Sequence, residues 1–378
     1  MNDPPEFTIG IEEEYLVVDI GTLNLVSKMP PALMEDCAKE LGGQVAKELL
    51  QCQIEVGTNV CTSTQELRQE LVRLRGTIAE IARRHDCLIM AASTHPFSFG
   101  TTQLTHDERY LDLAEQMQLI VRRLYISGMH VHAGIPNDEL RIDLMNQASY
   151  ILPHLLALST SSPFWRGEDT GMKSYRVSVF DQLPRTGLPP QFHSYTDYMS
   201  HVNILVDLGI IEDATKIWWD LRPSWRYPTL ESRLTDVCTN VEDAITVACV
   251  YRCWLRLLHR LRLQNQRWRE YSAFLVQENR WRAQRYGIDR GLIDFGQRKI
   301  VDYPDLAEEI IELTAEDAQY FDCVKEVKNI RNIINRGTSA HRQLAIYNQS
   351  ISEGRSNELA LVDVVKFIVK ETLVGVTD

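Results

Sequence analysis

Four segments, scattered between residues 7 and 234, each hold two polar side chains two residues apart in an otherwise apolar stretch. The segments are FTIGIEEEYLVVD, LLQCQIEVGT, ISGMHVHAGIP and PTLESRL. Their pairs are Glu12 with Glu14, Gln53 with Glu55, His130 with His132, and Glu231 with Arg233. A spacing of two is the period of a β-strand, so both members of a pair share one face. The other faces carry Ile11 and Tyr15, Ile54 and Val56, Met129 and Val131, and Leu230 and Leu234. The pattern predicts a sheet with one buried face and one polar face. Any half-exposed strand alternates in this way, but surface strands favour Thr, Lys and mixed charges. This set is almost entirely Glu and His, with one Arg. Glu13 falls on the apolar face and is read as a structural position. Glu48 precedes Glu55 by seven residues, an odd spacing, so it joins the polar face only through a turn or bulge.

Carboxylates gathered on one face repel each other and titrate upward unless cations neutralise them. Hard oxygen donors point to Mg²⁺, and the imidazole tilts the set toward Mn²⁺. Such a cluster beside one cation, Arg233, suits phosphoryl transfer. The chain has no GxxxxGK[ST] sequence and no GxGxxG after a strand, so a nucleotide would need another architecture.

Composition narrows the class. The net charge of −12 argues against nucleic acid as a partner. The opening MNDPPEFTIG lacks a basic region followed by an apolar run, and no apolar stretch is long enough to span a bilayer. The eight cysteines form no CxxC pair. Reduced thiols in a cytoplasmic protein are the expectation. The length of 378 residues suggests about two domains, and the pattern is a mixed α+β core over about 1–240 and a mostly helical part over about 241–378.

Within the core, Ser63 and Glu66 form a capping box ahead of an amphipathic helix. CLIMAAST reads as a strand, and helices are expected over about 106–124 and 138–160. Residues 165–200 read as a long ordered loop. Later helices are expected at 241–263, 267–286, 304–335, 338–350 and 356–374. The arginines of these helices read mainly as solvated faces. Trp218, Trp219 and Trp225 read as packing residues, and His85 and His259 as ordinary helix residues.

GMHVHAG, GIEEEY and PTLESR are similar to three strands of glutamine synthetases. More closely, the chain resembles the bacterial carboxylate–amine ligases, also called type 2 glutamate–cysteine ligases. The resemblance is carried by GIEEEYLVVD, ELLQCQIEVGT, STHPF, GMHVHAGIP, SSPFWRGEDTG, SYRVSVFDQLPRTGLP, WWDLRPS, PTLESR, NRWRAQRYG and RGTSAHRQL, from residue 10 to about 344. It implies a single glutamine-synthetase-like catalytic domain over 1–378, with a curved antiparallel sheet and a largely helical C-terminal part. It implies metal ligation by Glu12, Glu14, Glu55, His130 and Glu231, with Glu48 as an addition. His132 would face the phosphates of ATP, and Arg222 and Arg233 would contact the phosphates or the transition state. Gln53, Thr94 and His95 of STHPF, and Arg176 would lie on the substrate side. Arg226 has no assigned place, and Arg336 and Arg342 are candidates for covering the site. Only the resemblance carried by NRWRAQRYG sets Arg282 and Arg285 apart from the other helix arginines, as candidate phosphate or subunit contacts.

The implied reaction is ATP-dependent joining of a glutamate-like carboxylate to an amine through an acyl phosphate, with Mg²⁺ or Mn²⁺, in a homo-oligomer. A phosphagen-type kinase and a non-catalytic binding descendant stay open as alternatives.

Overall fold

The computed structural model describes residues 5–100 and 102–376; Met1–Pro4, which begin the stretch read for a leader, lie outside them. Seven strands build one antiparallel sheet: β1 (Ile9–Asp19), β2 (Val45–Lys47), β3 (Gln53–Gly57), β4 (Cys87–Met90), β5 (Met129–Gly134), β6 (Leu221–Pro223) and β7 (Thr229–Ser232). Their order is β6-β7-β5-β1-β3-β2, with β4 pairing the second half of β1. The four segments marked by polar pairs are thus the four neighbouring strands β7, β5, β1 and β3. Their apolar sides, including Ile11, Tyr15, Ile54, Val56, Met129, Val131 and Leu230, are buried. Two long helices, Thr64–Arg84 and Val241–Leu263, pack beneath them.

The first of these helices starts at the capping box. Ser63 Oγ accepts from the Glu66 amide at 3.1 Å, and the Glu66 carboxylate accepts from the Ser63 amide at 3.2 Å. The same helix carries the partner of Glu13. Arg75 donates to both Glu13 oxygens, at 2.8 and 2.5 Å, and to the carbonyls of Thr239 and Cys238. Tyr15 also donates to Glu13, at 2.5 Å. Both side chains of the ion pair are fully buried. Glu13 therefore bolts the underside of β1 to the helix while its neighbours Glu12 and Glu14 face the other way.

Several expectations change. The helix expected over 138–160 is two, Asp138–Ala148 and Leu152–Ser159, because Pro153 lacks the amide needed to continue the first. The stretch 165–200 is not a plain loop: it holds a short helix, Tyr175–Phe180, and the start of another, Tyr195–Asp207. The expected helix 267–286 begins only at Ala273, since Trp268 and Arg267 dock on Gln147 and Asp143 instead. The span 304–335 breaks into four helices, with Asp322 taking a left-handed φ of 50° at one break. Leu292–Asp294 and Lys299–Val301 form a hairpin inside the helical part. Arg252 and Arg280 are buried, not solvated. All eight cysteines are buried and free. Among the described residues, no helix is long and apolar enough to cross a membrane.

Candidate active site

Strand register brings the polar pairs together. Glu12 lies opposite His130, Glu14 opposite Glu55, His132 opposite Glu231, and Glu231 opposite Arg222. These rows form the floor of a cavity of about 1920 Å³, lined also by Gln53, Glu48, Arg176 and Arg233. A pocket for one small ligand is typically ~300–1,000 Å³, so this one has room for more than one. The cavity runs along β5. Leu124 and Ile126, before that strand, lie at one end with Arg176, Phe180 and Leu183. Trp225, Tyr227 and Pro228 lie at the other, where the Ile135 amide meets the Pro228 carbonyl.

The donors are close. His130 Nδ1 is 3.2 Å from Glu12 and 3.9 Å from Glu231, and its Nε2 is 3.8 Å from Glu14. His132 Nε2 is 3.4 Å from Glu12, while its Nδ1 sits 2.9 Å from the Thr229 hydroxyl. Three overlapping triads could each hold a cation: Glu12, His132 and Glu231; Glu12, Glu55 and His130; Glu14, Glu48 and Glu55. Within each, one donor atom per residue lies within 4.8 Å of the others. Glu48 reaches the floor because β2 and β3 are antiparallel, so the turn between them carries it back over Glu55. The Gly128 amide donates to Glu14 at 2.7 Å.

The charges are strongly coupled. Burial would raise the pKa of Glu12, but hydrogen bonds from His130 and His132 outweigh it and hold the carboxyl well below the usual range. Burial likewise opposes ionisation of Glu231, and Arg233 and then Arg222 overcome it. Glu55 goes the other way. Burial, then the charges of Glu48, Glu12 and Glu14, push it well above the usual range. Burial lowers His130, and Arg233 adds to the effect. His132 is raised despite burial, drawn up by Glu231 and Glu12. Arg222 Nε donates to Glu231 at 2.9 Å, and Arg233 pairs with the same carboxylate.

Other expected site residues have different surroundings. Gln53 lines the cavity, but its amide nitrogen donates to the Ile126 carbonyl at 2.6 Å and its oxygen accepts from Leu50. Thr94 and His95 are not brought to the cavity. Thr94 donates to the Phe164 carbonyl. The buried His95 ring reaches the Leu23 carbonyl and accepts from the amides of Phe97 and Ser98. With both nitrogens engaged and burial pushing its pKa down to about 4, it pins the turn after β4. Arg336 and Arg342 pair with Asp243 and Glu371, away from the cavity. Arg282 and Arg285 donate to backbone carbonyls. Arg226 and His259 do line the cavity, as do Trp218 and Trp225, whereas Trp219 packs on Phe192.

Arg176 is buried at the cavity wall. It donates to the carbonyls of Leu234 and Arg233 at 3.2 and 3.3 Å, and its Nε has no hydrogen-bond partner. A Cβ at Gly128 would sit 2.3 Å from its Nη2, so glycine is what lets the guanidinium lie there.

A family model described as glutamate–cysteine ligase family 2 matches residues 8–360. The chain belongs to this family. A provisionally named glutamate–cysteine ligase 2 of Rhodospirillum rubrum is 54% identical, over 98% of this chain and 96% of its own. One of Jannaschia sp. is 50% identical, over 97% and 96%. Among solved structures, a glutamate–cysteine ligase of Francisella tularensis in complex with AMP superposes with a TM-score of 0.68 at 14% identity, covering 98% of this chain and 89% of that one. A bifunctional glutathione synthetase of Pasteurella multocida gives 0.69 at 13%, covering 97% and 53%. At such identities the likeness is one of fold, and that fold is the glutamine-synthetase-like α+β architecture. Family membership makes the protein an enzyme of the glutamate–cysteine ligase type, a carboxylate–amine ligase.

Proposed function

We propose that this ligase uses ATP to activate the γ-carboxylate of glutamate as an acyl phosphate and joins it to an amine, cysteine being the amine its relatives are named for. The observation that carries this reading is the convergence of three donor triads on one cavity floor. Five carboxylates and two imidazoles are a donor set for a hard divalent cation. The raised Glu55 fits, because its like-charged neighbours cost energy that a cation would relieve. So does the buried His132 Nε2, which stands 3.4 Å from the Glu12 carboxylate on the same floor. Glu12, Glu14, Glu48, Glu55, His130 and Glu231 would hold the ions. Bound there, Mg²⁺ or Mn²⁺ would supply positive charge that offsets the repulsion between ATP and the carboxylate.

The remaining chemistry belongs to the chain and its substrates. A carboxylate oxygen attacks the γ-phosphorus as the bond to the ADP oxygen breaks. The amine then attacks the acyl carbon, the C–O bond to phosphate breaks, and the amine's proton leaves with the phosphate. Arg222, Arg233 and His132 would steady the charge on the moving phosphoryl group. Trp225 and Tyr227 offer faces for a nucleobase at one end, and Arg176 offers a cation for a substrate carboxylate at the other. The apolar wall of Leu124, Ile126, Phe180 and Leu183 would keep water from the acyl phosphate.

The test is incubation with ATP, Mg²⁺, glutamate and a panel of amines, following ADP, phosphate and new amides. A ligase releases phosphate only when both organic substrates are present. A phosphorylated product without free phosphate would make it a kinase, and no turnover with any amine would leave only binding.

Metal affinity should also depend on pH. Glu55 holds its proton above the ordinary carboxylate range in the metal-free protein. A cation must displace that proton, so Mn²⁺ affinity is expected to rise with pH until Glu55 ionises unaided. Calorimetry in buffers of different ionisation enthalpy should record proton release on binding. An affinity flat from acid to neutral pH would count against Glu55 as a ligand.

A further inference from the structure

We infer that Asp236 is a positioning residue: it holds Arg176 in the cavity wall so that the guanidinium can receive a substrate carboxylate. This rests on the ligase reading above, which supplies the carboxylate.

Asp236 is fully buried beyond the end of β7, where it bridges to Gly128 at the start of β5. Its carboxylate draws in two distant loops. One oxygen accepts from the Ser162 hydroxyl and the Ser161 amide, both at 2.8 Å. The other accepts from the Ser174 hydroxyl at 2.8 Å. Ser174 is the residue before the helix Tyr175–Phe180, and its hydroxyl makes no capping bond to that helix. Ser162 takes over: its oxygen accepts from the Arg176 amide at 3.1 Å while its hydrogen points to Asp236. The first turn of the helix carrying Arg176 is therefore set by Asp236 through two serines.

The guanidinium itself is held by neutral carbonyls. Among the described residues it makes no ion pair within 4.0 Å, although the side chain is only 3% exposed. Its contacts to Leu234 and Arg233 carbonyls are long, and its Nε is unpartnered. A buried cation so placed is costly unless an anion arrives or a nearby charge compensates. Burial pushes the Arg176 pKa down, and Asp236 and then Glu14 are the nearby charges that offset it. None of this was visible in local sequence pattern. Asp236 stands three residues after Arg233, and its partners lie in SSPFWRGEDTG and SYRVSVF.

The test compares wild type, Asp236→Asn, Ser162→Ala, Arg176→Met and the double variant Asp236→Asn/Arg176→Met in steady-state kinetics. Thermal unfolding of each protein runs alongside. Asp236→Asn is expected to raise the KM of the carboxylate substrate about tenfold or more, the worth of one charge-assisted contact, with the KM of ATP little changed. Ser162→Ala, the milder change, should shift the same parameter in the same direction. In the double variant the Asp236→Asn effect should vanish, because Arg176 is the only route by which it acts. Additive losses, or equal losses in both KM values, would make Asp236 merely structural. A crystal structure of Asp236→Asn gives a readout independent of turnover: a displaced guanidinium supports the inference, and an unmoved one overturns it. Absence of turnover in the wild type would instead overturn the ligase reading, and the crystal structure would still decide the positioning role.

Discussion

Arg75→Met is expected to lose about 3–5 kcal/mol of folding stability, the range for removing one partner of a buried ion pair. Arg75 and Glu13 are both fully buried, and every Arg75 nitrogen is engaged. The variant strands the Glu13 carboxylate, still bonded to Tyr15, in the core, and leaves the Thr239 and Cys238 carbonyls without these donors. Arg75→Lys keeps the charge but has too few donors for all of these acceptors, so its loss should be intermediate. Urea unfolding measures the effect as a fall in midpoint at constant slope. A loss below about 1 kcal/mol would show that the pair contributes no more than a surface salt bridge. Activity should fall with the structure, because Glu13 holds the strand that aims Glu12 and Glu14.

Glu12→Gln should do the reverse, leaving the fold and removing the chemistry. Glu12 belongs to two of the three donor triads and is the common partner of His130 and His132. Its side chain is 30% exposed, so the isosteric amide disturbs little packing. Turnover is expected to fall at least about a hundredfold, since even the outer partners of metal ligands typically cost 10–100-fold. Mn²⁺ binding should weaken by a comparable factor, with the unfolding temperature little changed. Normal turnover in Glu12→Gln would remove the cation floor from the mechanism, and a collapsed melting curve would make Glu12 a folding residue.

The two variants mark what local pattern could and could not reveal. The alternation of β1 placed Glu12 and Glu14 on one side and Glu13 on the other, because side-chain direction in a strand depends only on residue parity. It did not name Arg75, sixty-two residues away, as the partner of Glu13. His95 is a residue whose surroundings local pattern did not reveal. Its position in a strand-ending motif promised a substrate contact, but the chain's turn sends the ring into the backbone of residues 23, 97 and 98. The run 304–335 read as one helix because its three breaks, near Thr314, Cys323 and Asn329, carry no Gly or Pro to announce them. The capping box at Ser63 was legible since all its partners lie within four residues.

By itself, then, the sequence determined which faces are polar, where the strands of the floor run and which donors they carry, since these follow from short-range geometry. Tertiary structure alone decided that four such strands are neighbours in matching register, that Glu48 returns over Glu55, and that Asp236 stands behind Arg176. Those relations depend on loop closure and on the pairing of distant charges in a dry interior. The energy of such pairs is set by burial and partner geometry, and neither is written in the spacing of residues along the chain.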